Sequence, residues 1–273
     1  MMLDHVVLKV DDLEHAVEKY SKMGFTVFPG GEHENFGSHN ALIAFSDGTY
    51  IELIAFRTPV PPQRRIEKSQ ELKRSGKTRI FSRVLPWGVV SEGLLDFALL
   101  PSDEEESFEK LKRRQLDIEG PMLMQRKRPD GKEISWEMAF PDHDDLPFLI
   151  RDITPRNLRL PSDCSHAIAV SGISRLFMVI RDLSSSQSRY ETLLSTKARA
   201  YCDSQLPGGK SCAFPCGSTE IVLMEPDPAN PDLKIFLEER GESVWWLELR
   251  TEANAARDGS VLEKLRELRI SLN

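Results

Sequence analysis

LDHVVLKVDDLEHAVEKYSKMGFTVFPGGEHENFGSHNALIAFSDGTYIELIAF, Leu3 to Phe56, shows in one unit the pattern on which the rest of the chain is built. Leu3 to Val10 is rich in branched residues and predicts a strand. Asp12 is placed to cap a helix over Leu13 to Met23, where Ala16, Val17 and Tyr20 share a face. Gly24 stops that helix, Phe25 to Phe28 reads as a short strand, and Pro29-Gly30-Gly31 opens a loop holding Glu32, His33, Phe36 and Gly37. Ser38 to Phe45 and Thr49 to Phe56 are strands joined at Ser46-Asp47-Gly48, because Asp-Gly favours a tight hairpin. The order is βαβββ.

The order recurs, and a repeated order decides architecture. Leu94 to Leu100 predicts a strand, Asp103 to Gln115 a helix, and Met122 to Lys127, Ile134 to Phe140 and Leu146 to Ile153 three further strands. A third copy runs from the Ile173 to Ile180 strand through a helix ending at Leu194 to strands at Ala198 to Cys202, Ser211 to Pro215 and Thr219 to Met224. A fourth follows the helix Pro231 to Arg240, with a strand at Val244 to Leu249, a helix at Val261 to Leu265 and only Leu268 to Leu272 to finish it. The expected fold class is α+β: repeated βαβββ modules forming two paired, curled mixed sheets, the last module abbreviated.

The expected halves are 1–154, with modules 1–56 and 93–154 joined by a linker helix over 57–92, and 166–273, with modules 172–226 and a truncated 231–273. The linker carries Arg64, Arg65, Lys68, Lys73, Arg74 and Lys77, but Glu67 and Glu71 at helical spacing predict a solvated helix of mixed sign. Lys plus Arg total 36 against 43 for Asp plus Glu, a net charge of −7 over 273 residues. A general nucleic-acid surface is disfavoured. No run approaches the roughly 20 apolar residues of a membrane span, so no membrane partner is expected and the expected location is cytoplasmic. Cys164, Cys202, Cys212 and Cys216 lack the partners for a disulfide framework or a zinc site and read as free thiols. GxxxxGK[ST], GxGxxG and GxSxG are all missing.

LDHVVLKVDDL (Leu3 to Leu13), GGEHENFGSHNALIAF (Gly30 to Phe45), GTYIELIAF (Gly48 to Phe56), RPDGKEISW (Arg128 to Trp136) and LPFLIRD (Leu146 to Asp152) resemble the glyoxalase-like branch of the vicinal oxygen chelate superfamily. The resemblance implies paired modules whose sheets curl round a cleft, and, in metal-dependent members, two ligand positions per module, on its first and last strands. His5 and Glu52 match them in module one. Alternation along the first strand puts His5, Val7 and Lys9 on one face and Val6, Leu8 and Val10 on the other. His39, or His33 in the loop before it, is the candidate third donor; His5, Glu52 and His39 together suit one divalent metal (Zn, Ni, Fe or Mn). The alternative is that His39 and Asn40 bond to backbone and His5 pairs with Glu52 alone.

Module two departs from the pattern, offering Asp96-Phe97 on its first strand and Arg151 on its last, and modules three and four offer Arg175, Val222 and Trp245 or Trp246. Arg151 either pairs with Glu52, recognises a substrate carboxylate or enolate, or neutralises Asp152 at the surface. The expected function is lyase or isomerase chemistry on a small carbonyl or oxygenated metabolite, with Glu52, His5 and Arg151 as catalytic groups and His39, Asn40, Trp136 and Phe97 binding the substrate. A non-catalytic small-molecule sequestering protein is the competing class, and a ferrous ring-cleaving dioxygenase the third. The unpaired edge of an abbreviated fourth module leaves room for a homodimer.

Overall fold

The computed structural model describes residues 1–33, 36–57, 79–101, 107–128, 130–161, 163–202, 209–251 and 259–272. Most of the linker helix expected over 57–92, and the start of the helix expected at Asp103, lie outside the described residues.

Module one comprises β1 (Met2–Lys9), α1 (Leu13–Lys22), β2 (Phe28–His33), β3 (Ser38–Ala44) and β4 (Tyr50–Phe56). Asp12 caps α1 by accepting from the His15 amide at 2.9 Å, and Ala16 and Tyr20 are its buried residues. The second strand starts three residues later than Phe25, and the Gly30-Gly31 pair lies within it rather than in a loop. A short helix, α2 (Arg79–Val84), and a 3-10 turn (Leu85–Gly88) lead into module two: β5 (Gly93–Leu100), α3 (Phe108–Arg113), β6 (Ile118–Lys127), β7 (Glu133–Pro141) and β8 (Phe148–Asp152).

The eight strands close into a barrel in the order β1-β4-β3-β2-β6-β7-β8-β5. β1 runs parallel to β4, β5 parallel to β8, and the modules join through the antiparallel β1–β5 pair. On the far side β2 meets β6 where Glu32 stands opposite Lys127. Each strand therefore has an inner and an outer face. The outer face carries Val6, Leu8, Ile43, Ile51, Leu53, Phe97 and Leu99 into a large apolar core, while Val7, Ile54, Trp136, Phe148 and Ile150 belong to a separate inner cluster.

After α4 (Arg156–Arg159), the chain builds β9 (Val170–Val179), α5 (Leu183–Leu194), β10 (Arg199–Ala200), β11 (Gly209–Cys216), β12 (Thr219–Pro226), α6 (Pro231–Arg240), β13 (Ser243–Thr251), α7 (Gly259–Glu267) and β14 (Ile270–Leu272). The second sheet has the order β10-β11-β12-β9-β13-β14. β9 is parallel to β12 and β13 to β14, repeating the β1–β4 and β5–β8 relations. The fourth module thus keeps its first and last strands, and among the described residues it has no middle pair, so this sheet stays open. Leu233 and Phe236 of α6 fill the inner face against Phe177, Val222 and Met224. The outer core is shared: Val6, Leu111, Leu176 and Leu247, one from each module, belong to one cluster. Among the described residues no helix is long and apolar enough to cross a membrane, and none of the four cysteines is in a disulfide.

Candidate active site

The barrel encloses a cavity of about 70 Å3, to which β1, β3 and β4 contribute His5, Ser38, Asn40, Leu42, Tyr50, Glu52 and Ile54. β6 to β8 supply Met124, Arg126, Trp136, Met138, Phe148 and Ile150, and the linker closes it with Ile80, Val84 and Trp87. His5, Asn40, Glu52 and Trp136, expected at the site from sequence, are brought together here.

Three other expected residues face elsewhere, each for the same reason. On β3, Ser38, Asn40 and Leu42 line the cavity, so period-two alternation turns His39 outward, away from His5 and Glu52. On β8, Phe148 and Ile150 line it, so Arg151 points out. There Arg151 donates to Glu137 through Nε at 2.9 Å and Nη2 at 2.5 Å, rather than pairing with Glu52 or Asp152, and packs over Phe108. Phe97 is fully buried in the outer core. Register identifies the true module-two equivalents. His5 stands opposite Tyr50, two residues before Glu52, and Ala98 stands opposite Phe148, two residues before Ile150. The positions matching His5 and Glu52 are therefore Ala98 and Ile150. In module three they are Arg175, engaged by Glu220 and Glu248, and Val222.

His33 enters the cavity where His39 does not. Its Nδ1 lies 3.2 Å from Ser38 Oγ and its ring meets Trp136 edge-on. Burial pushes its pKa below the ordinary histidine value, against the opposing pull of the Glu52 charge.

His5 is held from behind. Its Nδ1 is 2.8 Å from Asp4 Oδ2, and its ring stacks on Tyr50 at 4.6 Å. Asp4 is completely buried, and burial alone would raise its pKa; the Arg159 charge, with hydrogen bonds from His5 and Arg159, holds it well below the carboxylate range instead. Arg159 donates to Asp4 at 2.9 and 3.1 Å, to Tyr50 Oη at 2.6 Å and to Asp152 at 2.6 and 2.8 Å; Arg156 adds a further bond to Asp4. An ionised Asp4 accepts the proton on Nδ1, which leaves the lone pair of a neutral His5 on Nε2. That nitrogen stands 3.6 Å from Glu52 Oε2.

Glu52 is fixed on its other oxygen, where Asn40 Nδ2 donates to Oε1 at 2.5 Å. Asn40 Oδ1 in turn accepts from Arg126 Nη1 at 3.2 Å. Gly30 and Gly31 make this possible. A Cβ on Gly30 would sit 2.0 Å from Asn40 Oδ1, and one on Gly31 would sit 3.1 Å from Arg126 Nη1. Sequence reasoning missed Arg126, Arg159 and Tyr50; for Tyr50 the signal was present, two residues before Glu52 on an alternating strand.

The donor set does not fit the expected metal. His5 and Glu52 converge, His39 does not, His33 enters the cavity without forming a three-donor group with them, the second module offers Ala98 and Ile150, and a guanidinium borders the same space. No group of three His, Cys, Asp or Glu side chains among the described residues could hold a metal ion.

A family model described as a glyoxalase-like domain matches residues 3–194, which spans the whole barrel and runs on to the end of α5. The chain belongs to the glyoxalase-like domain family. No curated protein matches the chain in sequence. Among solved structures, this glyoxalase-like chain is similar to a hypothetical protein from Staphylococcus aureus, with TM-score 0.65, 15% identity and coverage of 93% of this chain and 92% of that one. It is also similar to a mutant 4-hydroxymandelate synthase from Streptomyces coelicolor, with TM-score 0.59, 13% identity and coverage of 98% and 74%. At these identities the likeness is one of fold.

Proposed function

We propose that this glyoxalase-like protein is an enzyme that moves a proton on a small carbonyl or otherwise oxygenated metabolite, as a lyase or isomerase does, inside the N-terminal barrel. The observation that carries this reading is the meeting of His5 Nε2 and Glu52 Oε2 at 3.6 Å. With Asp4 holding the proton of His5 on Nδ1, both facing atoms are acceptors, so the pair calls for a proton or a substrate donor between them. Glu52 takes a proton from a C–H next to the substrate carbonyl, leaving the electron pair on the enolate. On a substrate with a hydroxyl on that carbon, His5 Nε2 takes the hydroxyl proton and passes it to the enolate oxygen, and Glu52 returns its proton to the former carbonyl carbon, which completes an isomerisation. Asp4 and Tyr50 are positioning residues for the imidazole, and Asn40 is one for the carboxylate. The apolar walls and the Ile80, Val84 and Trp87 cover keep water away from the enolate.

Exchange in D2O tests this whatever the product is. Small carbonyl and hydroxy compounds incubated with the protein lose C–H signal by proton NMR, and Glu52→Gln slows the loss by roughly 100-fold or more, the usual worth of a general base. Exchange at the wild-type rate in Glu52→Gln, or none with wild type across the compound set, sinks the proposal. A second reading, ligand sequestration without turnover, is favoured by the replacement of the module-two ligand positions by Ala98 and Ile150. It predicts tight retention with no exchange. A ferrous dioxygenase needs three protein ligands where His5 and Glu52 supply two.

A further inference from the structure

We propose that Arg126 is the anchor for a carboxylate on the ligand of this cavity, so that the protein takes small carboxylic acids with a short apolar body. This rests on the proton-transfer reading above and names its substrate class.

Arg126 is 6% exposed and lines the cavity. Burying a guanidinium without a counter-charge costs several kcal/mol, and Arg159, the other buried arginine among the described residues, has two carboxylates in Asp4 and Asp152 to offset it. Arg126 makes neither an ion pair nor a second hydrogen bond among the described residues; its hydrogen bond goes to the neutral oxygen of Asn40, and the Glu52 charge reaches it only from beyond that amide. Among the described residues the buried polar atoms left without any partner are Tyr20 Oη and Arg269 Nη1, so the remaining N–H groups of Arg126 are not sealed inside protein but open on the cavity. A planar fork of donors facing a low-dielectric space fits a carboxylate by two parallel bonds.

The neighbours define the rest of the ligand. Met124, Trp136, Met138 and Phe148 are apolar and lie on the strands beside Arg126 or across from it. They offer nothing to a second charged group. A single amide, that of Asn40, separates Arg126 from Glu52. A carboxylate at Arg126 thus leaves the carbons next to it on the side of the proton-transfer pair. The volume of about 70 Å3 limits the body to a short chain.

Butyrate, butyramide and 1-butanol, which share a carbon chain and differ in the end group, serve as probes in ligand-observed NMR titrations of the whole chain. Butyrate binds wild type roughly 10-fold or more tightly than butyramide, the worth of one charge-assisted hydrogen bond. Arg126→Met loses that preference with its circular dichroism unchanged. Loss of D2O exchange in Glu52→Gln and loss of the carboxylate preference in Arg126→Met are separate results, and either can fail alone. Butyrate that fails to bind wild type, or binds no better than butyramide, overturns the anchor, as does a folded Arg126→Met that keeps the preference. Should Arg126→Met not fold, Arg126→Lys decides: the charge stays and the fork goes, so a reduced preference supports the anchor and an undiminished one overturns it.

Discussion

Gly30 leaves the space that Asn40 fills: a β-carbon at Gly30 would stand 2.0 Å from Asn40 Oδ1, the atom that accepts from Arg126. Through the same side chain the strand bearing Gly30 governs Glu52. Gly30→Ala therefore drives the Asn40 amide out of place and costs about 1–3 kcal/mol of stability, as overpacking does. It also slows C–H exchange toward the level of Asn40→Ala, because Glu52 loses its 2.5 Å hydrogen bond. Thermal unfolding and D2O wash-out measure the two effects; an alanine variant with wild-type exchange contradicts the relationship.

Asp4→Asn acts on His5 from behind. The buried Arg159 and the half-buried Arg156 lose one carboxylate, which lowers stability at neutral pH by about 3 kcal/mol. The sign with pH follows from the depressed folded-state pKa of Asp4. Its stabilisation is complete above the ordinary aspartate value of about 3.9 and is lost as pH falls through the lower folded value. Wild type therefore loses melting temperature faster than Asp4→Asn below about pH 4. Parallel acid limbs for the two proteins disprove the assignment.

His33 predicts a separate, milder dependence. Its folded pKa lies below the ordinary 6.5, so the unfolded chain binds the proton first as pH falls. The contribution is fully present above about pH 6.5 and declines as pH drops toward the folded value. The urea midpoint of wild type should fall more between about pH 7.5 and about pH 5.5 than that of His33→Gln. Equal falls remove His33 as the source.

Two converging donors hold a divalent ion poorly. Added Zn2+, Ni2+, Mn2+ or Fe2+ should raise the melting temperature of wild type no more than that of His5→Ala. About one tightly held metal per chain by elemental analysis, lost in His5→Ala, reverses this expectation.

The repeat order, the hairpin at Asp47-Gly48 and the inward faces of β1 and β4 are legible in the sequence because they depend on neighbours close in the chain. The sequence pattern puts His39, Arg151 and Phe97 each on the wrong face by a single residue of register, which is all that separates cavity from outer core in a strand. The ladder between β1 and β5 shifts register between Leu3 and His5 and again between Val7 and Leu8, which no local pattern announces. Gly30-Gly31 reads as a turn because glycine usually marks one, whereas here it clears space for two side chains from other strands. Arg159 reaches Asp4 across 155 positions of chain, a pairing that only the closed barrel creates.

That last contact gives the segment after β8 a role beyond spacing. Arg156 and Arg159 sit on a four-residue helix past position 154, where the N-terminal half was expected to end, yet they supply counter-charges to the fully buried carboxylate behind His5. A fragment cut at 154 would keep every strand of the barrel and lose the electrostatic keystone under His5. The site therefore extends at least through Arg159, and its limit along the chain is set by ion pairs as well as by strands.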